Sequence, residues 1–187
     1  MWATILMTQY PAETEKLRAE VKSLLNSSSS SSPLSQSAID SLPYLENFIR
    51  EVLRFQCPAI NIAREAAKDV TVQGIHLRKG TTVLIQPAVF QHNPTIWGPD
   101  CDEFRPERFN HLEGQAADPY AYTAFSQGAR ICIGKAMTML EFKIILIELV
   151  SRFEFEAVDK DGEMKLVNPS TLLRPEGGIR VRVRRLT

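Results

Sequence analysis

The sequence contains few cysteines, and they are not arranged as a metal cluster or a disulfide framework. Cys57, Cys101 and Cys132 are odd in number and widely spaced, and no Cys-x-x-Cys pair occurs. Zinc ribbons and disulfide-stapled domains need paired or closely spaced cysteines, so this pattern argues against both. The cysteine usage fits a reducing compartment.

The sequence also has no net charge. Lys and Arg number 22 and Asp and Glu number 22, which gives a formal net charge of +0. Without a global field, nothing attracts nucleic acid or an acidic substrate, and we expect no nucleic-acid partner. The stretch 180–185 is locally basic and alternates Arg with apolar residues. This alternation predicts a strand with one solvated face, and a binding patch for an acidic partner is the alternative.

Long apolar runs are missing as well, so no segment is expected to span a membrane. The apolar stretch 1–7 is too short for a signal peptide and lacks a basic start. Its residues Trp2, Ile5 and Leu6 are typical of the end of a buried helix, which a natural domain seldom leaves unprotected. We therefore expect the chain to be part of a longer protein, in which any membrane anchor precedes it.

Hydrophobic periodicity predicts a mainly α fold with small β-sheets, an α+β class. A helix is predicted to begin at Pro11, another to run from Pro43 to Phe55, and a strongly apolar one from about Ile133 to Phe153, buried on most faces. Short strands are predicted at Ile60–Ala63, Val70–Val72, Thr82–Ile85, Phe153–Ala157 and Ile179–Val183. The segment before the Ser-rich loop at about residues 27–37 is too short for its own core, so residues 1–187 are expected to form one incomplete domain.

One segment combines several features that favour metal binding, Phe125-Ser-Gln-Gly128-Ala-Arg130-Ile-Cys132-Ile-Gly134. Its lone cysteine lies where a loop turns into a helix, and the N–H groups and partial positive charge of a helix N-terminus favour thiolate over thiol. The glycines permit tight turns and close approach of a flat ligand, Arg130 offers donors to a carboxylate, and Phe125 is an apolar shield. A buried structural cysteine before a core helix is the alternative.

This segment resembles the haem-binding loop of the cytochrome P450 family, Phe-x-x-Gly-x-Arg-x-Cys-x-Gly, at every fixed position. The resemblance implies that Cys132 is the proximal ligand of haem b (iron protoporphyrin IX), whose thiolate pushes electron density that favours O–O cleavage. It also implies that Arg130 binds a haem propionate and that Phe125 covers the sulfur. Gly128 and Gly134 would belong to the cofactor site.

Two further motifs follow the order of the same family. Glu51-Val-Leu-Arg54 is similar to its Glu-x-x-Arg helix motif, and Phe104-Arg-Pro-Glu-Arg-Phe109 to its Pro-Glu-Arg-Phe element. The spacing alone proves nothing, because Glu15-Lys-Leu-Arg18 has it too, and such a pair is ordinarily an exposed ion pair. The resemblance implies a buried, structural triad of Glu51, Arg54 and Arg108.

Other site residues follow from the resemblance alone. Arg64 aligns with an arginine that binds the second propionate in relatives, and a surface arginine is the alternative. Two segments would line the substrate pocket, the strand near 59–63 and the loop near 170–172. The candidate pocket residues are Ala59, Ile60, Asn61, Ile62, Ala63 and Thr171.

The resemblance implies a monooxygenase that inserts one oxygen atom of O₂ into a small organic substrate. An electron-donating reductase would dock on the proximal face near Arg130 and Lys135, and the longer protein would lie at the cytosolic face of the endoplasmic reticulum membrane. The family's Gly-x-Asp/Glu-Thr segment, which delivers protons during oxygen activation, does not occur here, so no catalytic residue is assigned. The alternatives are a truncated, catalytically inactive haem-binding fragment, or a haem-thiolate isomerase, dehydratase or peroxygenase.

Overall fold

The computed structural model describes residues 1–27, 33–158, 166–167 and 172–186. Helices make up most of the regular structure in this part of the chain. They are α1 (Trp2–Gln9), α2 (Pro11–Ser27), α3 (Gln36–Asp40), α4 (Pro43–Phe55), α5 (Pro87–Gln91), α6 (Pro94–Trp97) and α7 (Lys135–Arg152), with short 3-10 turns at Pro106–Asn110, Gly114–Ala117 and Gly128–Arg130. None of the helices so described has both the length and the apolar character needed to cross a membrane.

The strands form small antiparallel pairs. They are β1 (Ile62–Glu65), β2 (Val70–Val72), β3 (Ile75–Leu77), β4 (Thr82–Ile85), β5 (Phe153–Ala157), β6 (Leu166–Val167), β7 (Arg174–Pro175) and β8 (Val181–Arg185). β1 pairs with β4, β2 with β3, β5 with β8, and β6 with β7, all antiparallel. The mainly α class with small sheets is therefore correct.

Several predicted boundaries are wrong by a few residues. β1 begins at Ile62 rather than Ile60, because its partner β4 ends at Ile85 and Pro87 already starts α5. β8 is shifted by two residues to pair with all of β5. The third strand of the region, β3, was not predicted, although Gln73 and Gly74, both with positive φ, form a tight turn before it that is typical of a hairpin.

The predicted Ser-rich loop at 27–37 is shorter on both sides than expected. Ser27 is the last residue of α2, and residues 36–37 belong to α3, whose N-cap Ser35 accepts the backbone N–H of Ala38. Residues 28–32 lie outside the described residues, so the flexibility expected there stays a prediction.

Helix α4 is the centre of the main core. It begins at Pro43, where a missing N–H has no consequence, and Glu20 of α2 accepts the next two backbone N–H groups at 2.8 Å each. Its apolar side chains Leu45, Phe48, Ile49 and Val52 are buried with those of α1, α2 and α7. The predicted range of this helix, Pro43 to Phe55, is confirmed.

Helix α7 is buried on one face only, so the expectation that it is buried on most faces is wrong. Lys143, Leu146, Ile147 and Val150 are buried, whereas Met137, Ile144 and Ile145 are exposed. The helix packs on α2 and α4. Apolar side chains are therefore exposed along α7.

The basic stretch near the C-terminus is a strand, as its alternation predicted, but Val183 on its apolar face is exposed as well as the arginines, so the solvated surface is not limited to one face. Arg182 of β8 pairs with Glu156 of β5 at 3.0 Å, and Arg184 pairs with Glu154 directly opposite it. These are cross-strand ion pairs on an exposed surface. The charge of these two arginines is balanced within the β5–β8 strand pair.

Candidate functional site

The loop that leads into α7 is held by its own backbone. The N–H of Cys132 donates to the carbonyl of Phe125 at 2.8 Å, and the N–H of Lys135 donates to the carbonyl of Cys132 at 3.2 Å. Gly128 has a φ of 73°, which explains why glycine suits this position. The side-chain amide of Gln127 donates to the carbonyls of Pro119 and Tyr122 at 2.7 and 3.0 Å, and so ties the loop to the preceding segment.

Cys132 is the one cysteine of the chain whose side chain is accessible. Cys57 and Cys101 are buried, and burial raises the pKa of the Cys57 thiol. Cys132 lies just before α7 and is exposed. A Cβ added at Gly134 would lie 3.8 Å from the Cys132 sulfur, so the glycine keeps the space beside that sulfur open.

Two arginines flank this loop, and neither has a carboxylate partner among the residues with a described structure. Arg130, within the loop, is exposed and has no ion pair or hydrogen bond from its side chain within the described ranges. Arg64 of β1 donates to the carbonyl of Ala63 at 2.9 Å and to the hydroxyl of Ser126 at 3.2 Å. The contact with Ser126 brings Arg64 to the loop that carries Cys132. Arg64 lies within β1, whereas the predicted strand Ile60–Ala63 ended just before it.

Glu51, Arg54 and Arg108 come together in a buried ionic cluster. Both Glu51 and Arg54 are 0% exposed. Arg54 donates to Glu51 from Nε at 2.7 Å and from Nη2 at 2.9 Å, and Nε of Arg108 donates to the same carboxylate at 2.9 Å. The backbone N–H of Arg105 adds a fourth bond to it at 2.9 Å.

The remaining donors of Arg54 bond to backbone carbonyls of the segment after β4. Its Nη1 donates to Gln91 and Cys101, and its Nη2 donates to Glu103. All five N–H groups of the guanidinium therefore have an acceptor. Because these carbonyls belong to the irregular stretch between α5 and the turn Pro106–Asn110, the cluster fixes the path of that stretch. None of these carbonyls could be identified from the sequence.

Arg50 links α4 to the segment that enters the loop carrying Cys132, and sequence reasoning missed it. Its guanidinium carbon lies 4.1 Å from the centroid of the Phe109 ring and 5.6 Å from that of Tyr122. The two rings meet edge to face with centroids 5.7 Å apart. Tyr122 is three residues before Phe125, so this cation–π stack connects the helix to the segment that enters the loop.

Arg50→Met should lower the free energy of unfolding by about 1–2 kcal/mol, since the cation is lost while the aliphatic stem is largely kept. Urea unfolding followed by far-UV circular dichroism measures this. Arg78→Met is the control, because Arg78 is exposed and has no side-chain partner among the described residues. Equal effects of the two substitutions would contradict a contribution from the stack.

The candidate pocket residues 59–63 lie at the entry to β1. Ala59, Ile60 and Ile62 are half-buried, and Asn61 and Ala63 are exposed. Asn61 accepts a hydrogen bond from Gln86 at 3.4 Å. Thr171 lies outside the described residues. Their role in binding a substrate stays a prediction.

The chemistry of the donor set fits a haem. A cysteine thiolate is one of the side chains that can hold a haem iron, and the group also needs space for its flat ring and suits cations near its two carboxylates. Cys132 is an exposed thiol with a glycine beside it, and no carboxylate of the residues that the structure describes pairs with Arg130 or Arg64. Phe125, a half-buried residue, packs against the main core, which fixes its backbone next to the loop. Elsewhere in the described chain, no three His, Cys, Asp or Glu side chains cluster in a way that could hold a metal ion.

Comparison with known proteins agrees with this geometry. The family model described as Cytochrome P450 matches residues 1–183. Cytochrome P450 monooxygenase sphH of Aspergillus fumigatus is 34% identical over 94% of this chain, and human Cytochrome P450 3A5 is 31% identical over 95% of it. The chain spans about a third of the length of these relatives, 34% of each.

A solved structure has the same fold. The structure titled "Retinoic acid bound cyanobacterial CYP120A1" superposes with a TM-score of 0.84 at 30% sequence identity. The match covers 98% of this chain and 41% of that one.

Proposed function

This chain belongs to the cytochrome P450 family, and we propose that it is the haem-binding part of a monooxygenase that inserts one oxygen atom of O₂ into a small organic substrate. The observation that carries the proposal is an exposed cysteine, Cys132, in a loop flanked by two arginines for which the described part of the chain offers no carboxylate partner. Haem b would supply the O₂ activation when bound.

The residues of this chain would hold and orient that group. Cys132 would give its thiolate to the iron, and Arg130 and Arg64 would bind the two carboxylates. Phe125 would shield the sulfur from water, while Gly128 and Gly134 would allow the loop to lie close to the ring. Each of these roles rests on the motif together with the position of the residue in the loop or beside it.

The buried cluster of Glu51, Arg54 and Arg108 would act as structural support for this site. It joins α4 to the segment 91–108 through hydrogen bonds that leave none of the Arg54 donors unused. It is buried away from solvent and offers no free donor to a substrate. We therefore assign it to positioning of the fold behind the haem rather than to catalysis.

The reaction class is tested by oxygen labelling. The haem-containing protein of natural length is supplied with a reductase, a reductant, isotope-labelled O₂ and a panel of small apolar compounds. A monooxygenase places one labelled atom in the product and requires the reductant. Unlabelled product formed without reductant would contradict the proposal and indicate an isomerase or dehydratase. Turnover driven by peroxide alone would indicate a peroxygenase.

A second candidate is a haem-binding chain without activity of its own, and the exposed apolar side chains favour it. Ile133, beside Cys132, and Met137 of α7 are largely exposed. Oxygen activation needs a dry, enclosed pocket, which these residues alone do not provide. We expect the 187-residue chain loaded with haem to be poorly soluble and to give no labelled product. Efficient hydroxylation by this chain alone would contradict that expectation.

We also propose an electron-donating reductase as the partner at the Cys132 side. Arg130 and Lys135 are exposed there, on either side of the cysteine, and would attract an acidic surface. A location at the cytosolic face of the endoplasmic reticulum membrane rests on the family alone. Attachment would occur through a segment outside these residues.

A further inference from the structure

Ser126 occupies an unusual backbone conformation in the cysteine loop. Its φ is 61°, in the left-handed region that few residues other than glycine and asparagine adopt readily. Its N–H donates to the carbonyl of Thr123 at 2.9 Å, which closes a tight turn just before the loop. The turn fixes the direction of the Ser126 side chain.

The hydroxyl of Ser126 meets the guanidinium of Arg64. Nη2 of Arg64 donates to Oγ of Ser126 at 3.2 Å, and Nη1 donates to the carbonyl of Ala63 at 2.9 Å. β1 fixes the backbone of Arg64, which lies opposite Val83 of β4. Holding an arginine side chain in one position costs rotamer entropy. The two hydrogen bonds offset this cost and favour one position of the Arg64 side chain.

We propose that Ser126 is a positioning residue that holds Arg64 against the cysteine loop, ready to bind a haem carboxylate. This inference rests on the proposed function, because it concerns the same haem. Ser126 itself would not touch the iron or the substrate. It would act by fixing a cation whose other donors stay available, since Arg64 has no carboxylate partner in the described ranges.

The test separates the contribution of the Ser126 hydroxyl to haem retention from that of the positive φ at position 126. Ser126→Gly removes the hydroxyl but suits a positive φ, so the loop should fold as well as in the wild type. Ser126→Asn tolerates the same φ and offers a carbonyl oxygen to Arg64. We expect haem to leave Ser126→Gly about 10- to 100-fold faster than the wild type, with Ser126→Asn restoring part of the loss. The readout is the rate of haem transfer to an excess of apomyoglobin, with thermal unfolding as the control for folding.

A double variant tests whether Ser126 acts on haem retention through Arg64. In a protein that already carries Arg64→Met, Ser126→Gly should change the rate of haem loss little, because the cation it positions is gone. An undiminished effect in that background, or a wild-type rate in Ser126→Gly alone, would overturn the inference. Failure of the proposed function is distinguishable: without haem binding the wild type would show no thiolate-bound haem spectrum, and a different reaction class would appear in the oxygen-labelling experiment but leave the rates of haem loss unchanged.

Discussion

Cys132→Ser is expected to abolish the strongly red-shifted absorption band that a thiolate-bound haem shows when it is reduced in the presence of carbon monoxide. Cysteine binds metals as a thiolate. A serine hydroxyl stays protonated near neutral pH and is therefore a far weaker ligand for the iron. Cys132 is exposed in the loop, so the substitution removes the sulfur without opening a cavity in a core. The measurement is the reduced, carbon monoxide difference spectrum of the haem-loaded protein.

Cys101→Ser is the matched control for this experiment. Cys101 is buried and donates from its sulfur to the carbonyl of His92 at 3.3 Å, a bond that a serine hydroxyl can also make. We expect the red-shifted band to persist in this variant. A persistent band in Cys132→Ser, or its loss only in Cys101→Ser, would exclude Cys132 as the iron ligand.

Glu51→Gln should lower the free energy of unfolding by roughly 3–5 kcal/mol, because it leaves the buried Arg54 guanidinium with no carboxylate and leaves Arg108 with Asp100 alone, whose Oδ2 lies 3.4 Å from Nη1 of Arg108. The carboxylate of Glu51 accepts four hydrogen bonds, from Arg54, Arg108 and the backbone of Arg105. An amide of the same shape accepts through one oxygen only and turns N–H groups towards other N–H groups. Urea unfolding of the purified protein measures the loss.

Glu15→Gln is the control, since it changes the same chemical group in the same Glu-x-x-Arg spacing. The Glu15 side chain is 64% exposed where it pairs with Arg18, and Arg18 keeps a bond to the carbonyl of Val150 at 3.0 Å. We expect a loss of about 0–1 kcal/mol, because the Glu15 carboxylate is solvated and Arg18, although buried, keeps its backbone acceptors. Similar losses in the two variants would show that burial of the Glu51 cluster contributes no special stability.

The sequence predicts best where chain-local signals coincide. Helix α4 has Pro43 at its first position, an apolar face of regular period and Pro58 shortly after its end, and its predicted range is confirmed. Strand ends were predicted less well because pairing decides them. β1 starts where β4 ends, and no residue of β1 itself records that limit.

Burial of charged residues could not be derived from spacing. Glu15–Arg18 and Glu51–Arg54 look alike in the sequence, and only the packing of residues 91–108 on α4 makes the second pair inaccessible. The family motif separated the two pairs where physical reasoning from the residues did not. The contacts of Arg50 and Ser126 have no sequence signal at all, since each depends on partners that are far away in the chain.

The donors of Arg54 impose an order on the formation of the native state. Its backbone carbonyl acceptors lie 37 to 49 residues further along the chain. Helix α4 can therefore form its turns early, but this side of the helix cannot be buried until the distant segment packs on it. Burying the cation before its carbonyls are present would be strongly unfavourable. We expect helix α4 and the segment 91–108 to become protected from hydrogen exchange together, as one cooperative unit. The hydrogen bonds of Arg54 require closure of a long loop, and they would then decide when the apolar face of α4 becomes buried.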